Sequence, residues 1–221
     1  MIQAVVFDFD GTVFDSESHV YETVREIFAE HGAELPLEVW GECVGREASF
    51  FDPLAYLEER IGRPVDRVAL SARRGERFRE RIAGQGPLPG VADALDAARE
   101  LGLRVGLASS SPRAWVEPQL RALGLLERFH AIRVADDVAR VKPDPALYTS
   151  VLAALGVAPE RAVAIEDSPN GALAARRAGM RVVVVPNSVT VHLEFGEAAL
   201  RLASLAEIPL HDLIRRLARE P

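Results

Sequence analysis

Cysteine and long apolar runs are both scarce in this chain of 221 residues. The single cysteine, Cys43, excludes an internal disulfide framework and is typical of a protein of the reducing cytoplasm. No apolar stretch approaches the roughly 20 residues of a membrane-spanning helix. The first residues lead directly into a strand-like segment, without the pattern of a signal or transit peptide. We therefore expect a cytoplasmic protein.

Excess positive charge is also absent. The formal net charge of −7 argues against nucleic acids and anionic membranes as partners. Lysine is almost missing, because the 26 basic residues are 25 arginines and one lysine, Lys142. A chain that uses arginine almost everywhere else is expected to keep a lysine where it needs an amine, which makes Lys142 a candidate functional residue. No long apolar face is left unexplained, so we expect a monomer.

Short apolar runs alternate with segments of helical periodicity, which is the pattern of a parallel α/β sheet. The runs lack strict alternation with polar residues, as do strands that are covered on both faces. They lie at Ala4–Phe7, Leu103–Ala108, Ala131–Val134, Ala162–Ile165 and Val182–Val185. An amphipathic pattern at Leu210–Leu217 predicts a closing helix.

Residues 17–85 break this rhythm, because they contain helical patterns and no buried-strand run. The helical patterns lie around Val20–His31, Leu54–Ile61 and Val68–Ile82. Glycine-containing segments at 11–16 and 84–90 flank the block and are plausible hinges. We predict a helical cap at residues 17–85, inserted into an α/β core made of residues 1–16 and 86–221.

Polar side chains follow four of the predicted strands, and ligands of open parallel sheets bind outside the carboxyl ends of the strands. These side chains are Asp8, Asp10, Ser109, Ser110, Ser111, Lys142, Glu166 and Asp167. Carboxylates without histidine or cysteine among them suit a hard cation such as Mg²⁺, which keeps waters and adds a phosphate oxygen of the substrate. Hydroxyl groups, backbone amides and the lysine suit the other phosphate oxygens.

Asp8 and Asp10 are one residue apart at a strand end, so their side chains point to the same side. Two carboxylates this close need a cation between them or a proton on one of them. One carboxylate can accept a phosphoryl group as a nucleophile. The other can donate a proton to the leaving oxygen and later deprotonate water. A cation and Lys142 would balance the charge.

The segments DFDGT, LASSS, VKPDP and EDSPNG, in this order and spacing, resemble the four motifs of the haloacid dehalogenase superfamily of phosphohydrolases. The resemblance covers essentially the whole chain. It implies a doubly wound, Rossmann-like parallel sheet with a mobile α-helical cap, and Mg²⁺ as the cofactor. The second aspartate, Asp10, favours phosphate-ester chemistry over dehalogenation. The cap has no lysine, which excludes a phosphonate-cleaving relative that forms a Schiff base there.

The resemblance also implies residue roles. Asp8 would be the nucleophile and a magnesium ligand, and Asp10 the acid/base, with its backbone carbonyl on the metal. Lys142 would hold the nucleophile and the phosphate together. Asp167 would bind magnesium, and Glu166 would bind it directly or through a water. The residues that would contact the phosphate and the rest of the substrate at the core are Gly11, Thr12, Ser109 and Ser110.

The cap looks most similar to the β-phosphoglucomutase and sugar-phosphate phosphatase branch. His19 and Arg46 are predicted substrate contacts, although His19 could equally be a polar residue of a first helical turn. Arg74 is a third candidate contact, but its segment is rich in arginine and glutamate, which favours a solvated helix face. Trp115 is expected to pack in the core, and Glu17 either contacts substrate or supports a helix start.

Three functions follow. The leading hypothesis is a magnesium-dependent phosphatase that hydrolyses a small phosphorylated metabolite, such as a sugar phosphate, through an aspartyl-phosphate on Asp8. The alternative is a phosphomutase similar to β-phosphoglucomutase. The third is a phosphate-binding module without catalytic activity.

Overall fold

A computed structural model describes residues 1–41, 43–46 and 50–218 of the chain. The described residues form a six-stranded sheet in which every neighbouring pair of strands is parallel. The strands are β1 (Ala4–Phe7), β2 (Arg104–Ala108), β3 (Ala131–Arg133), β4 (Ala162–Glu166), β5 (Arg181–Val184) and β6 (Leu200–Arg201). Their order across the sheet is β3-β2-β1-β4-β5-β6. The strand that carries the first motif, β1, is therefore central.

The helices are α1 (Glu17–Glu30), α2 (Leu37–Gly41), α3 (Pro53–Ile61), α4 (Arg67–Ile82), α5 (Val91–Glu100), α6 (Arg113–Ala122), α7 (Ala146–Leu155), α8 (Pro169–Arg177) and α9 (Leu210–Leu217). Buried side chains of α5, α6 and α9 pack on one face of the sheet, and those of α7 and α8 on the other. Side chains of β1 point alternately to the two faces of the sheet. Val5 and Phe7 pack with α5, α6 and α9, whereas Ala4 and Val6 pack with α7 and α8. This confirms the predicted doubly wound α/β fold.

Helices α1–α4 lie between β1 and α5 in the chain and outside the sheet, which confirms an inserted helical cap. We call these helices and their connections the cap, and the rest of the chain the core. The boundaries at residues 17 and 85 stay a prediction. Apolar side chains of α1, α3 and α4, among them Phe28, Leu57 and Leu70, form a cluster that Val189 of the core joins.

The five predicted strands and the three predicted cap helices are present, with ends shifted by up to three residues. The predicted helix at Leu210–Leu217 is confirmed as α9. Helix α2 and strand β6 were not predicted. They have five and two residues, too few to produce a readable period. Within the described residues, no helix has the length and apolar character needed to cross a membrane.

Candidate active site

Asp8 directly follows the central strand β1, at the carboxyl edge of the sheet. The backbone N–H of Asp8 donates to the carbonyl of Ile165 at 3.0 Å, which extends the pairing of β1 with β4 by one residue. The chain then turns at Gly11, whose φ of +81° favours glycine. A side chain at this position would collide with the Asp167 carboxylate and the Asn187 amide. The turn therefore packs the first and fourth motifs together.

Lys142 is buried between two carboxylates. Its Nζ donates to Asp8 Oδ1 and, at 2.7 Å, to Glu166 Oε1. Burial alone would lower the pKa of the ammonium, but the neighbouring Asp8 and Glu166 carboxylates raise it above its ordinary value. Lys142 is therefore a fixed positive charge that orients Asp8.

Glu166 is fully buried, and its carboxylate accepts the second hydrogen bond of Lys142. Its Oε1 also accepts from the Tyr148 hydroxyl at 2.5 Å, and its Oε2 accepts from the Ser168 hydroxyl at 3.2 Å. Both carboxylate oxygens thus have protein partners. The contacts favour positioning of Lys142, or contact with a metal through water, over direct metal binding by Glu166.

Asp8, Glu166 and Asp167 form a buried acidic cluster, with one oxygen of each within 4.8 Å of the others. Burial raises the pKa of Asp8 to about 8 and that of Asp167 well above its ordinary value, and the neighbouring carboxylates add to both shifts. Lys142 supplies one positive charge against three carboxylates. The remaining negative charge and the all-oxygen donor set fit a divalent cation such as Mg²⁺. Asp167 Oδ2 accepts from Asn187 Nδ2 at 2.7 Å, which leaves its other oxygen for a cation.

Both oxygens of the Asp10 carboxylate accept hydrogen bonds from the core. Oδ1 accepts from Ser16 Oγ at 2.6 Å and from Trp115 Nε1 at 2.8 Å. Oδ2 accepts from Ser111 Oγ at 2.6 Å and from Ser109 Oγ at 3.4 Å. Asp10 therefore has a defined orientation without any contact from Lys142 among the described residues.

A cavity of about 750 Å³ lies between core and cap, within the usual size range of small-molecule sites. Core residues that border it include Asp10, Ser110, Ser111 and Trp115, and cap residues include Glu17, Arg46, Arg74 and Phe78. Hydrogen bonds join cap and core at one side, from Ser110 Oγ to the Gly45 carbonyl at 3.0 Å and from Asn170 Nδ2 to the Val44 carbonyl at 2.8 Å.

Residues 2–179 match the family of haloacid dehalogenase-like hydrolases. The chain belongs to this family. The protein YhcW of Bacillus subtilis (strain 168) is 48% identical over 98% of this hydrolase and 98% of YhcW. Hexitol phosphatase B of Escherichia coli (strain K12) is 34% identical over 96% of this chain and 97% of its own. A crystal structure of Rhodobacter sphaeroides CbbY with xylulose-(1,5)bisphosphate has a TM-score of 0.71 at 33% identity, and covers 94% of this chain and 96% of its own.

The predicted superfamily and branch are thereby confirmed, as is the expectation of an enzyme. The hydrolase brings the predicted residues Asp8, Lys142, Glu166 and Asp167 into one buried cluster and places Asp10 beside Ser109. Their individual roles stay predictions.

Other predicted contacts are placed differently around the cavity. Thr12 does not border the cavity, and its buried Oγ1 has no hydrogen-bond partner among the described residues. Its role as a substrate contact stays a prediction. Arg46 borders the cavity, where its guanidinium lies 4.1 Å from the centroid of the Phe50 ring. His19 does not border it and has its Nε2 2.7 Å from Gln85 Nε2, next to the hinge. Its role as a substrate contact stays a prediction.

Arg74 was expected on a solvated helix face, and this was wrong. It is half-buried and borders the cavity together with Ser71, Gly75 and Phe78 of the same helix. Residues three and four apart share a helix face, so this side of α4 is turned toward the core. Glutamate partners of the neighbouring arginines lie on the other side, toward α1.

Glu17, left open by the sequence, lies in the cavity wall. Burial raises its pKa to about 8, and the carboxylates of Asp10, Asp8 and Asp15 add to the shift. No hydrogen bond or ion pair to it is present among the described residues. An acidic group in this setting is suited to accept hydrogen bonds from substrate hydroxyls.

Sequence reasoning missed the partners that orient these groups, which include Ser16, Trp115, Tyr148 and Asn187. Asn187 had a usable signal, because it follows the predicted strand Val182–Val185 as the other site residues follow theirs. Trp115 had none, since its N–H reaches Asp10 only through the packing of α6 on the sheet.

Proposed function

We propose that this hydrolase is a Mg²⁺-dependent phosphatase that acts on a small phosphorylated carbohydrate through an aspartyl-phosphate on Asp8. The observation that carries the proposal is the contact of Lys142 with Asp8 at the centre of a buried acidic cluster. Two relatives, hexitol phosphatase B and the complex of CbbY with xylulose-(1,5)bisphosphate, support the substrate class.

Asp8 would attack the phosphorus through a carboxylate oxygen. The new bond joins that oxygen to phosphorus, the ester P–O bond breaks, and its electron pair leaves with the alcohol oxygen. Lys142 holds Asp8 Oδ1 and neutralises charge as it develops on the phosphoryl oxygens. Mg²⁺ held by Asp8 and Asp167 would keep both carboxylates ionised and neutralise the phosphate.

Asp10 would supply a proton to the leaving oxygen and then remove one from the water that hydrolyses the aspartyl-phosphate. An indole N–H can only donate, whereas serine hydroxyls can rotate and accept. Oδ1, which accepts from Trp115, is therefore held as an acceptor, and the transferred proton resides on Oδ2 beside Ser111 and Ser109.

The cap would recognise the carbohydrate. Glu17, which borders the cavity, would accept hydrogen bonds from its hydroxyls, and Arg46 and Arg74, which also border it, would donate to hydroxyl or anionic oxygens. Both arginines at the cavity also support the second candidate, a phosphomutase, because they could bind the second phosphate of a bisphosphate. Formation of glucose 6-phosphate from β-glucose 1-phosphate without release of inorganic phosphate would identify the mutase.

The test is release of inorganic phosphate from a panel of sugar, polyol, glycolate and nucleotide phosphates, with Mg²⁺ or with chelator. We expect release that needs Mg²⁺, and a fall of about 10³-fold or more in Asp8→Asn, which removes the nucleophile. Asp93→Asn is the matched control, since Asp93 is exposed on α5. Near-full activity of Asp8→Asn would contradict the mechanism.

A further inference from the structure

Trp115 contacts both the proposed acid/base and the cap. It lies in the first turn of α6, and its Nε1 donates to Asp10 Oδ1 at 2.8 Å. The centroid of the Phe78 ring, on cap helix α4, is 5.6 Å from that of the indole, at an interplanar angle of 42°. On the core side, the Phe14 ring is 6.5 Å from the indole. The indole is thus held between cap and core.

The indole differs from the other donors to Asp10. Ser16, Ser109 and Ser111 are hydroxyl donors on core loops, and a hydroxyl can rotate away without moving its side chain. The Trp115 N–H is rigid within its ring, so its direction depends on where the whole ring lies. Phe78 packs against that ring from the cap.

We propose that Trp115 is a positioning residue that couples the placement of cap helix α4 to the orientation of the Asp10 carboxylate. The inference rests on the phosphatase function proposed above. With α4 over the cavity, Phe78 and Phe14 hold the indole so that its N–H fixes Asp10. When α4 moves away, the indole loses the Phe78 contact and can take other rotamers. Asp10 is then oriented for proton transfer chiefly when the cap covers the cavity and excludes water.

The first test compares two leaving groups in Trp115→Phe, which keeps an aromatic ring and removes the N–H. Alkoxide leaving groups need a proton from Asp10, whereas 4-nitrophenolate leaves without one. We expect kcat for the best alkyl phosphate of the panel to fall about tenfold, with KM changed less than about twofold. The first-turnover release of 4-nitrophenolate should change less than about twofold. An equal fall with both esters, or no change with either, would overturn the proposal.

Trp40→Phe is the matched control. Trp40 also borders the cavity, but its Nε1 has no partner among the described residues. The same change there alters the cavity wall without removing a hydrogen bond to Asp10. We expect the ratio of the two rates to stay within about twofold of the wild-type ratio. A ratio that changes as much as in Trp115→Phe would show that the shape of the cavity, rather than the N–H, sets it.

The second test addresses the cap. Phe78→Leu removes the ring while keeping an apolar side chain, and we expect the same selective loss on the alkyl ester. If Phe78 acts through Trp115, the double variant should lose no more than the larger single loss. Multiplied losses would overturn the coupling. If Trp115→Phe and Phe78→Leu have the melting temperature of the wild type, partial unfolding is excluded as the cause of their lower activity.

A third measurement does not require turnover. The chain has two tryptophans, so Trp40→Phe leaves Trp115 as the sole tryptophan, which can be excited selectively over the tyrosines. In that background, Asp10→Ala should shift the emission maximum, and Phe78→Leu should increase quenching by acrylamide. Unchanged fluorescence in both variants would overturn the proposal even if the enzyme is active. Conversely, the absence of Mg²⁺-dependent hydrolysis of any ester by the wild type would overturn the phosphatase function and leave the fluorescence test intact.

Discussion

The core and cap sides of the site differ in whether their charged groups have protein partners. On the core side, buried Lys142 donates to both Asp8 and Glu166, and Glu166 also accepts from the Tyr148 and Ser168 hydroxyls. On the cap wall, Glu17 has no partner among the described residues and the buried Arg46 Nε has none either. A buried polar atom without a partner, such as Arg46 Nε, costs free energy unless a ligand supplies the partner. This difference is in keeping with the proposed function, in which the core carries out the chemistry and the cap recognises the substrate.

The two regions also differ in what stabilises them. Apolar side chains cover both faces of the sheet in the core. In the cap, α1 and α4 are joined in part by half-exposed ion pairs of Glu26 and Glu30 with arginines of α4. Such pairs contribute little individually, so the cap can rearrange at lower cost than the core.

The largest expected effect comes from breaking the core arrangement at Lys142. Lys142→Met keeps an unbranched side chain one atom shorter but leaves Asp8 and Glu166 without their cation. We expect kcat to fall roughly 10³-fold, because a group aimed at the developing charge is lost. Removing one partner of a buried ion pair should also lower the free energy of unfolding by about 3–5 kcal/mol in chelator, measured with urea.

Arg140→Met is the control for that change, since Arg140 is an exposed neighbour paired only peripherally with Asp144, at 3.1 Å. It should retain activity and stability. If Lys142→Met lost activity but kept the wild-type free energy of unfolding, the ion pairs of Lys142 would not stabilise the core. The ion pairs of the core would then contribute as little to stability as those of the cap.

The contrast between the walls also separates what the sequence can predict from what it cannot. The runs that became β1, β2 and β4 were recognised because strands covered on both faces are continuously apolar. Asp8, Lys142 and Asp167 were then brought together by topology, since parallel strands end at one edge.

Contacts that depend on how helices dock were not predictable in the same way. The direction of Arg74 depends on the rotation of α4, and the bond from Trp115 to Asp10 joins residues 105 positions apart in sequence. Neither the direction of Arg74 nor the contact of Trp115 with Asp10 produces a pattern in the neighbouring sequence. Helix α2 and strand β6 were missed because they are shorter than a readable period.

The next effect in size tests recognition by the cap. Glu17→Ala should raise KM for the carbohydrate phosphate about tenfold, because a hydrogen bond between a substrate hydroxyl and the Glu17 carboxyl group is lost. The inhibition constant of inorganic phosphate should not change, since the proposed phosphate contacts all lie in the core. Equal weakening of both ligands would contradict the division between the two walls.

Glu17 also predicts a dependence of stability on pH. Its pKa is raised from an ordinary 4.5 to about 8, so the folded state keeps a proton that the unfolded state releases. Between these pH values stability falls as pH rises, by at most about 1.4 kcal/mol per pH unit for this group. Unfolding in urea and chelator at pH 5, 6.5 and 8 should therefore show a shallower fall for Glu17→Gln than for wild type. Glu100→Gln, on an exposed residue of α5, should follow the wild type.

A smaller effect is expected where the walls meet. Asn170→Ala removes the hydrogen bond to the Val44 carbonyl and should loosen the segment 43–46, which ends at Arg46. We expect a rise in KM of a few fold, a loss of about 1 kcal/mol in unfolding free energy, and little change in kcat. Ser110→Ala, which removes the bond to the Gly45 carbonyl, should act in the same direction. A large fall in kcat with unchanged KM would place Asn170 in the chemistry instead.

The smallest effect is expected within the cap, at Glu30. Its carboxylate pairs with Arg73 at 2.5 Å and Arg77 at 2.6 Å, and the hydrogen bond from Arg77 lowers its pKa. Glu30→Gln removes both pairs, although Arg77 keeps a second contact with Glu26 at 3.8 Å. The loss in unfolding free energy should stay below about 1 kcal/mol, since water screens these charges, and kcat should not change.

The contribution of a carboxylate with a lowered pKa is present above its unfolded pKa and lost as the pH falls. The difference between wild type and Glu30→Gln should therefore disappear in acid, and also in 1 M salt, where the screening length is about 3 Å. Both can be read from urea unfolding curves. A loss above about 2 kcal/mol that persists in salt would mean that the cap is held by its charges as firmly as the core is by Lys142, and the contrast between the two regions would fail.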